Sequence, residues 1–560
     1  MHPVLARLAL RARPLVTITE PPTEGVVVER DVEVVMRDGV TLRVDVYRPA
    51  GDEPVPVLMC AHPYGKSSTP KRRRRSFSVP FQYRLLPQSR PLSHSAWTGW
   101  EGPDPAHWVA RGYAVINADL RGWGASDGVG ELLSEQEGRD GHDLVEWAAA
   151  QPWSTGRVGM TGVSYLAISQ WATAAERPPH LAAICPWEGF TDVYRDFARP
   201  GGVREDGFVV VWSNGLKAAR RSPVELRAQQ KRRPLRDAWW VARDRDVEKI
   251  DVPALICGSF SDHALHSRGS FEGFRRIASE HKWLYTHRGP KWSTYYSPEV
   301  LALQERFFGH FLRGEDTGIL DEPPVRVEVR EDADTVTGVR GATHWPPPGT
   351  SWSNLHLDAR SGALSDAPVP AGSMAWRTRR DTVSFRWRFD ADTEVVGPMA
   401  ARLWVELPEG GDVSLFVGVA KVRDGRQVGF EGSYGFRGDL VTHGMLKASH
   451  RRLDSELSQE ARPVAAHTVS EPLAPGEVVP VDVELLPSAT LFRAGEELRL
   501  DVRGRWFFPQ NPLTGQFPVG YQQSRAATCV LHTGDEHDSR LHIPISTRAS
   551  SVARARSISA

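Results

Sequence analysis

The sequence predicts a two-part chain. An α/β region with a mainly parallel sheet, interrupted by a helical insertion, is followed by an all-β sandwich or jelly roll. Three observations carry this. Up to about residue 320, apolar runs of strand length alternate with segments of helical spacing. Between 188 and 250 strong strand signals vanish, and aromatic and charged residues take over (Trp212, Trp239, Trp240, "QQKRRP"). Beyond about 322 the helices stop, and short alternating segments such as "ARLWVELP", "VSLFVGVAKV" and "VVPVDVELLP" follow, separated by Gly, Pro and Asp. At 560 residues the chain is too long for one core. The expected divisions are 25–187 and 251–320 for the two parts of the α/β domain and 188–250 for a helical cap. The β domain is expected over 321–546, and a small polar, disordered tail over 547–560.

The elements follow in order. "RDVEVVMRDGVTLRVDVYRPA" (30–50) alternates around a DG turn, which signals a hairpin. "VPVLMCAH" (55–62) is a buried strand. In 107–128 a helix ends at Gly112, a strand spans 113–119, and a Gly-rich turn follows. Leu144, Val145, Trp147 and Ala148 give 135–151 a helical stripe. "GRVGMTGVS" is a strand, 165–176 a helix and "HLAAICPWEG" a strand. After the insertion come strand 252–259, helix 267–279, strand 282–287 and helix 300–314.

Composition excludes several functions. Lys plus Arg and Asp plus Glu both number 69, so no global field draws the chain to nucleic acid or to an anionic membrane. The basic run "KRRRRS" (71–76) has no interleaved aromatics and reads as a solvated loop. Cys60, Cys185, Cys257 and Cys529 are scattered without CxxC spacing, which argues against a zinc, redox or disulfide framework. No run reaches membrane-span length, and arginines break up the apolar residues of the N-terminus, so a cytoplasmic location is expected.

The chemistry centres on "GMTGVSYLAISQW" (159–171). In an α/β-hydrolase the nucleophile occupies a tight strand-to-helix turn, and Ser164 stands at such a junction. Leu166 replaces the second glycine of G-x-S-x-G, and a plain helix-capping serine is the competing reading. The triad order Ser, acid, His points to Asp262 in "GSFSDHAL" and to His287 at the end of "KWLYTH", both at C-terminal strand ends. His263, His266 and His281 compete with His287, which is favoured because it alone ends a predicted strand. The turn after strand 55–62 carries Tyr64, whose hydroxyl could join an oxyanion hole.

With these pieces placed, the chain resembles the cocaine esterase, X-prolyl dipeptidyl peptidase and α-amino-acid ester hydrolase family. The likeness rests on "MRDGVTLRVDVYRP", "PYGK", "ADLRGWGASDG", "HDLVEWAAAQPWSTGRVGMTGVSYLAISQW", "GSFSDHAL", "FFGHFLRG" and "GMLKASHRRLD", in that order. The resemblance implies an α/β-hydrolase domain with an inserted helical cap and a C-terminal jelly roll. It implies Ser164 as nucleophile, Asp262 as acid, and Tyr64 with the Tyr165 N–H as oxyanion hole. Two departures stand out: Ala167 where glycine is frequent, and "YTHRGPKWSTYYSP" in place of the histidine-bearing GPWxH segment. His287 is kept as the histidine.

The expected function is therefore a serine hydrolase cleaving small or aromatic acyl esters through an acyl-enzyme, with no metal or organic cofactor. Its partner is a small-molecule ester or amide; a homodimer is allowed and not required. Trp123, Trp187, Glu188, Phe190 and Trp212 are candidates for the substrate pocket, with Trp239 and Trp240 beside them. A peptidase or amidase reading needs a carboxylate for a substrate ammonium, from Glu188, Asp192 or Asp206. A non-catalytic carbohydrate-binding protein is the third alternative.

Overall fold

The computed structural model describes residues 3–216 and 225–546; the expected tail, 547–560, lies outside them. The α/β part is built on one main sheet, beside which Val16–Thr19 and Leu92–Ser95 form a separate parallel pair. The strands of the main sheet, in spatial order, are Val26–Val35, Thr41–Pro49, Ala114–Asp119, Val55–His62, Ser154–Val163, Leu181–Trp187, Ala254–Ser259, Lys282–His287, Val325–Arg330 and Val336–Ala342. From Ala114–Asp119 to Val325–Arg330 the strands run parallel; the outer ones are antiparallel. The central strands are buried along nearly their whole length, as a sheet covered on both faces requires.

Local chemistry sets the element ends. Helix Pro298–Arg313 starts two residues before its apolar stripe, because Ser297 accepts from the Val300 N–H and Pro298 occupies the first turn. It stops at Gly314, which is left-handed (φ 71°). Helix Tyr165–Ala175 packs against helix Glu135–Ala149 and is buried over almost its full length. Between strands Leu181–Trp187 and Ala254–Ser259 lie the short helices of the insertion, among them Val193–Ala198, Phe208–Leu216, Leu226–Arg232 and Ala238–Val241.

The C-terminal part is built from antiparallel strands around a separate apolar core that includes Phe385, Leu403, Val417, Leu485 and Leu500. Its longest pairing joins Thr393–Glu406 to Val478–Phe492. One sequence expectation changes here. Residues 325–342 alternate like the sandwich strands, but they extend the α/β sheet, with Val325 beside Leu284. Alternation alone cannot say which sheet a strand joins; pairing decides it. The "KRRRRS" loop is exposed and all four cysteines are buried free thiols. No described helix is long and apolar enough to cross a membrane.

The two parts share an extended contact. Arg330 pairs with Thr490, the Arg288 guanidinium donates to the carbonyls of Leu440 and Val441, and Arg462 meets Glu272 at 2.8 Å. A tight loop of the β part, 432–435, reaches across to Gln88, whose amide donates to Ser433 O at 3.2 Å. Gly435 sits there at φ 72°, and a Cβ would fall 2.1 Å from Pro87 O. Gly435→Ala is expected to lower stability by about 1–3 kcal/mol through backbone strain and this clash. Gly432→Ala, whose Cβ would meet neighbours at ordinary contact distance, is the near-neutral control. Thermal and urea unfolding of both variants check this.

Candidate functional site

Ser164 occupies a strained strand-to-helix turn (φ 61°, ψ −116°) between strand Ser154–Val163 and helix Tyr165–Ala175. Its N–H donates to Trp187 O, and its carbonyl accepts from Ala167 and Ile168. The turn closes because Gly162 (φ 149°) has no side chain: a Cβ would stand 2.5 Å from Leu166 Cβ. Leu166 is therefore tolerated where the familiar motif has its second glycine, because the first glycine makes the room. Ala167 fits for a similar reason. It faces Gly189, where a Cβ would lie 2.7 Å from Ala167 Cβ.

Ser164 Oγ lies 3.2 Å from His266 Nε2, and His266 Nδ1 makes a very short hydrogen bond to Asp262 Oδ2. The connection comes from the turn after strand Ala254–Ser259. Asp262 O accepts from the N–H groups of Leu265, His266 and Ser267, folding His266 back over its own acid. Both side chains are almost fully buried.

His287, the histidine expected from the sequence, is held elsewhere. Its Nδ1 accepts from the Gly289 N–H at 3.1 Å, so Nε2 carries the proton and donates to Glu188 Oε1 at 3.1 Å. Both ring nitrogens are engaged away from Ser164. Strand-end position favours His287 in one dimension, but the tight turn at Asp262 delivers His266 in three. His263 donates through Nε2 to Pro487 O, and His281 packs on Trp283 and Phe311.

Behind this chain lies Lys291, buried, from the "GPKW" segment that departs from the family pattern. Its Nζ is 2.6 Å from Asp262 Oδ2, 3.0 Å from His266 Nδ1 and 3.6 Å from Glu188 Oε2. Since Nδ1 gives its proton to Asp262, the lysine donates to the carboxylate and acts on the ring through its charge. Burial would raise the Asp262 pKa, but Lys291 first and then His266 outweigh it and hold the carboxyl well below the usual range. Burial, reinforced by Lys291, lowers the His266 pKa below its ordinary value. Burial would also lower the Lys291 pKa; Asp262, Glu188 and Glu101 together push it up instead.

A cavity of about 280 Å³ opens on Ser164. Tyr64, Tyr83, Trp100, Phe208, Trp212 and Trp292 give it aromatic walls, and Tyr434 and Pro518 of the β part close one side. The Tyr64 hydroxyl, in the same cavity as Ser164, accepts from Trp212 Nε1 at 3.4 Å. Burial raises its pKa far above 10, so it stays a neutral donor. The Tyr165 N–H is the first of the helix N–H groups without an intrahelical acceptor. The Tyr165 ring points away, its hydroxyl donating to Glu137.

The other pocket candidates divide. Trp212 lines the cavity. Phe190 stacks on His266, with ring centroids 6.0 Å apart. Trp187 is core and stacks on His287. Trp123 lines a separate small cavity with Trp239, while Trp240 is fully buried. Glu188 serves His287 and Lys291; Asp192 pairs with Arg195 and Asp206 with Arg204. Among the described residues lining the cavity at Ser164, the one carboxylate is Glu101. Sequence reasoning missed it. It sits at φ 65°, accepts from Trp292 Nε1 at 2.9 Å, and is raised by burial to about 7.

Comparison with known proteins finds hydrolases along the whole length of the chain. A family profile described as X-Pro dipeptidyl-peptidase (S15 family) matches residues 38–290. A second, described as the X-Pro dipeptidyl-peptidase C-terminal non-catalytic domain, matches residues 317–542. A CocE/NonD family hydrolase from Staphylococcus aureus is 37% identical in solved structure, with a TM-score of 0.88 covering 93% of this chain and 94% of that one. The cocaine esterase of Rhodococcus sp. is 25% identical over 93% of this chain and 99% of its own. An α-amino acid ester hydrolase shares the fold, with a TM-score of 0.69 at 15% identity, covering 94% of this chain and 98% of that one.

The packing of Ala167 on Gly189 gives a test of the turn. Gly189→Ala is expected to lower both stability and hydrolysis by displacing the helix that begins at Tyr165. Ala167→Gly in the same chain should recover part of the loss. A double-mutant cycle on melting temperature and initial rate measures that coupling.

Proposed function

Because this chain belongs to the CocE/NonD family of hydrolases, a family of serine hydrolases acting on esters or amides, we propose that it cleaves acyl esters through Ser164, His266 and Asp262. The observation that carries this is the continuous hydrogen-bonded chain from Ser164 Oγ through His266 to Asp262 at the floor of an aromatic cavity. His266 takes the Ser164 proton as Oγ attacks the acyl carbonyl. Asp262 holds the Nδ1–H tautomer and stabilises the imidazolium that forms. The Tyr64 hydroxyl and the Tyr165 N–H receive the developing oxyanion; loss of one such donor costs ~10²–10³ in rate. His266 then returns the proton to the leaving alcohol, and water, activated by the same imidazole, releases the acid. A small-molecule substrate and a cytoplasmic setting, where four free thiols stay reduced, complete this reading.

Glu101 supports a second reading. A carboxyl group raised to about 7 by burial, set in the wall of the cavity, gains its charge when a substrate ammonium docks beside it. That suits an amino-terminal or amino-acyl substrate. Glu101→Gln is expected to raise KM for amino-acyl esters while leaving neutral aryl esters little changed. Equal effects on both classes would remove the amine reading.

Two experiments test the catalytic assignment. Fluorophosphonate labelling, read by intact mass, is expected on the wild type and on His287→Ala, and to be lost in Ser164→Ala and His266→Ala. Rapid labelling of His266→Ala would overturn the role of His266. Second, His266 acts as a base only when unprotonated, and burial together with Lys291 lowers its pKa. The acid limb of kcat/KM should therefore lie below the ordinary histidine value of ~6.5. Lys291→Met removes a positive charge beside the ring, makes protonation easier, and should move that limb to higher pH.

A further inference from the structure

Where the loop that carries Asp262 and His266 meets the β part, His263, Asp439 and His443 come together, each almost fully buried. One ligand atom from each lies within 4.8 Å of the others, with His263 Nδ1 and Asp439 Oδ2 3.9 Å apart. The tautomer of His263 is fixed. Pro487 O can only accept, so Nε2 at 3.1 Å carries the proton and Nδ1 presents its lone pair to the cluster. His443 has no hydrogen-bond partner on either ring nitrogen among the described residues, and its ring packs edge-on against Trp506. Asp439 Oδ1 accepts from the Leu440 N–H, whereas Oδ2 makes no hydrogen bond and has the Arg288 guanidinium at 3.5 Å. A lone pair, a carboxylate oxygen whose one close ionic neighbour is Arg288, and an unpartnered imidazole thus face one another in the interior, where polar groups left without hydrogen bonds cost free energy.

We propose that His263 Nδ1, a ring nitrogen of His443 and Asp439 Oδ2 form a binding site for a divalent transition metal of the zinc class, which clamps the β part onto the loop carrying Asp262. The donor set is two imidazoles and one carboxylate, as borderline metals take. The outer shell is in place: Pro487 O orients His263, and the Leu440 N–H and Arg288 orient Asp439. Bonds of ~2.0–2.2 Å require the ligand atoms to close to roughly 3.3 Å, a small side-chain rotation for each. An adjoining cavity, lined by His263, His443 and Leu486, gives an entry path and room for a water in the fourth position.

The test compares the chelator-stripped full chain with its His443→Phe and Asp439→Asn variants. His443→Phe breaks no hydrogen bond, and Asp439→Asn keeps shape if the first variant fails to fold. Each is incubated with Zn²⁺, desalted, and assayed for retained metal and for melting temperature, with Co²⁺ ligand-field absorption as a third readout. The expected result is one more tightly held equivalent in the wild type than in a folded variant, with a zinc-dependent rise in melting temperature that the variant lacks. Other histidines, including His266 beside Asp262, are common to all three proteins and cancel in the comparison. Equal zinc retention and equal thermal shifts in wild type and variants would overturn the proposal.

Discussion

The site depends on one buried ion pair, Lys291 with Asp262 at 2.6 Å. Taking two charges out of water is costly, and such a pair is often no more stabilising than apolar residues of the same volume. Its role here is electrostatic order. Asp262 has to stay ionised in a dry interior if it is to hold the Nδ1–H of His266, and burial alone would oppose that ionisation. The ammonium makes the ionised state the stable one. The same charge bears on the imidazole, favouring its neutral form and, in the proposed mechanism, disfavouring the imidazolium that forms during attack. Asp262, hydrogen-bonded directly to the ring, opposes that penalty. The histidine thus sits between a cation and an anion, which together set its readiness as a base.

The loop bearing Asp262 and His266 is not held by the α/β sheet alone. Ser433 N donates to Ser261 O at 2.7 Å, the Tyr521 hydroxyl donates to Ala264 O at 3.1 Å, and His263 donates to Pro487 O. All three partners belong to the β part. Tyr434 and Pro518, which wall the cavity, belong to it as well. The C-terminal strands therefore complete the site from outside the sheet. They fix the loop that carries Asp262 and His266, and they shape the space above Ser164.

Much of this was legible in the sequence because it rests on periodicity and local turn chemistry. The apolar runs 55–62 and 282–287 give strands with those same bounds. The stripe in 135–151 and the glycine before Ser164 give the helix and the turn. What was not legible depends on contacts between distant segments. Along the chain His287 is favoured over His266 because it ends a strand; the three N–H groups gathered on Asp262 O bring His266 to Ser164 instead, and no pattern encodes that gathering. Lys291 reads as a defect in a histidine-bearing motif until the fold places its ammonium on Asp262. Glu101 lies in an unremarkable turn, and its importance comes from facing a cavity that seven other segments build. Residues 325–342 have the alternation of a sandwich strand yet join the other sheet, since alternation reports a half-buried strand and not its partner.

These facts combine into a constraint on charge. Lys291 faces Asp262, Glu188 and Glu101, three carboxyl groups for one ammonium. Each is stabilised differently. Asp262 takes the closest contact with the lysine and a hydrogen bond from His266. Glu188 lies farther from the ammonium and accepts from His287, which explains why a second buried histidine stands behind the first. Glu101 receives an indole N–H, and burial raises it to about 7, so a proton neutralises it far more easily than Asp262. It is also the one that meets the cavity. The charge of Asp262 is thereby held behind Ser164, and the variable charge of Glu101 is set on the cavity side. In the proposed reaction a neutral acyl ester meets a wall whose one carboxyl group readily holds a proton, and a substrate carrying an ammonium group draws out the carboxylate that pairs with it.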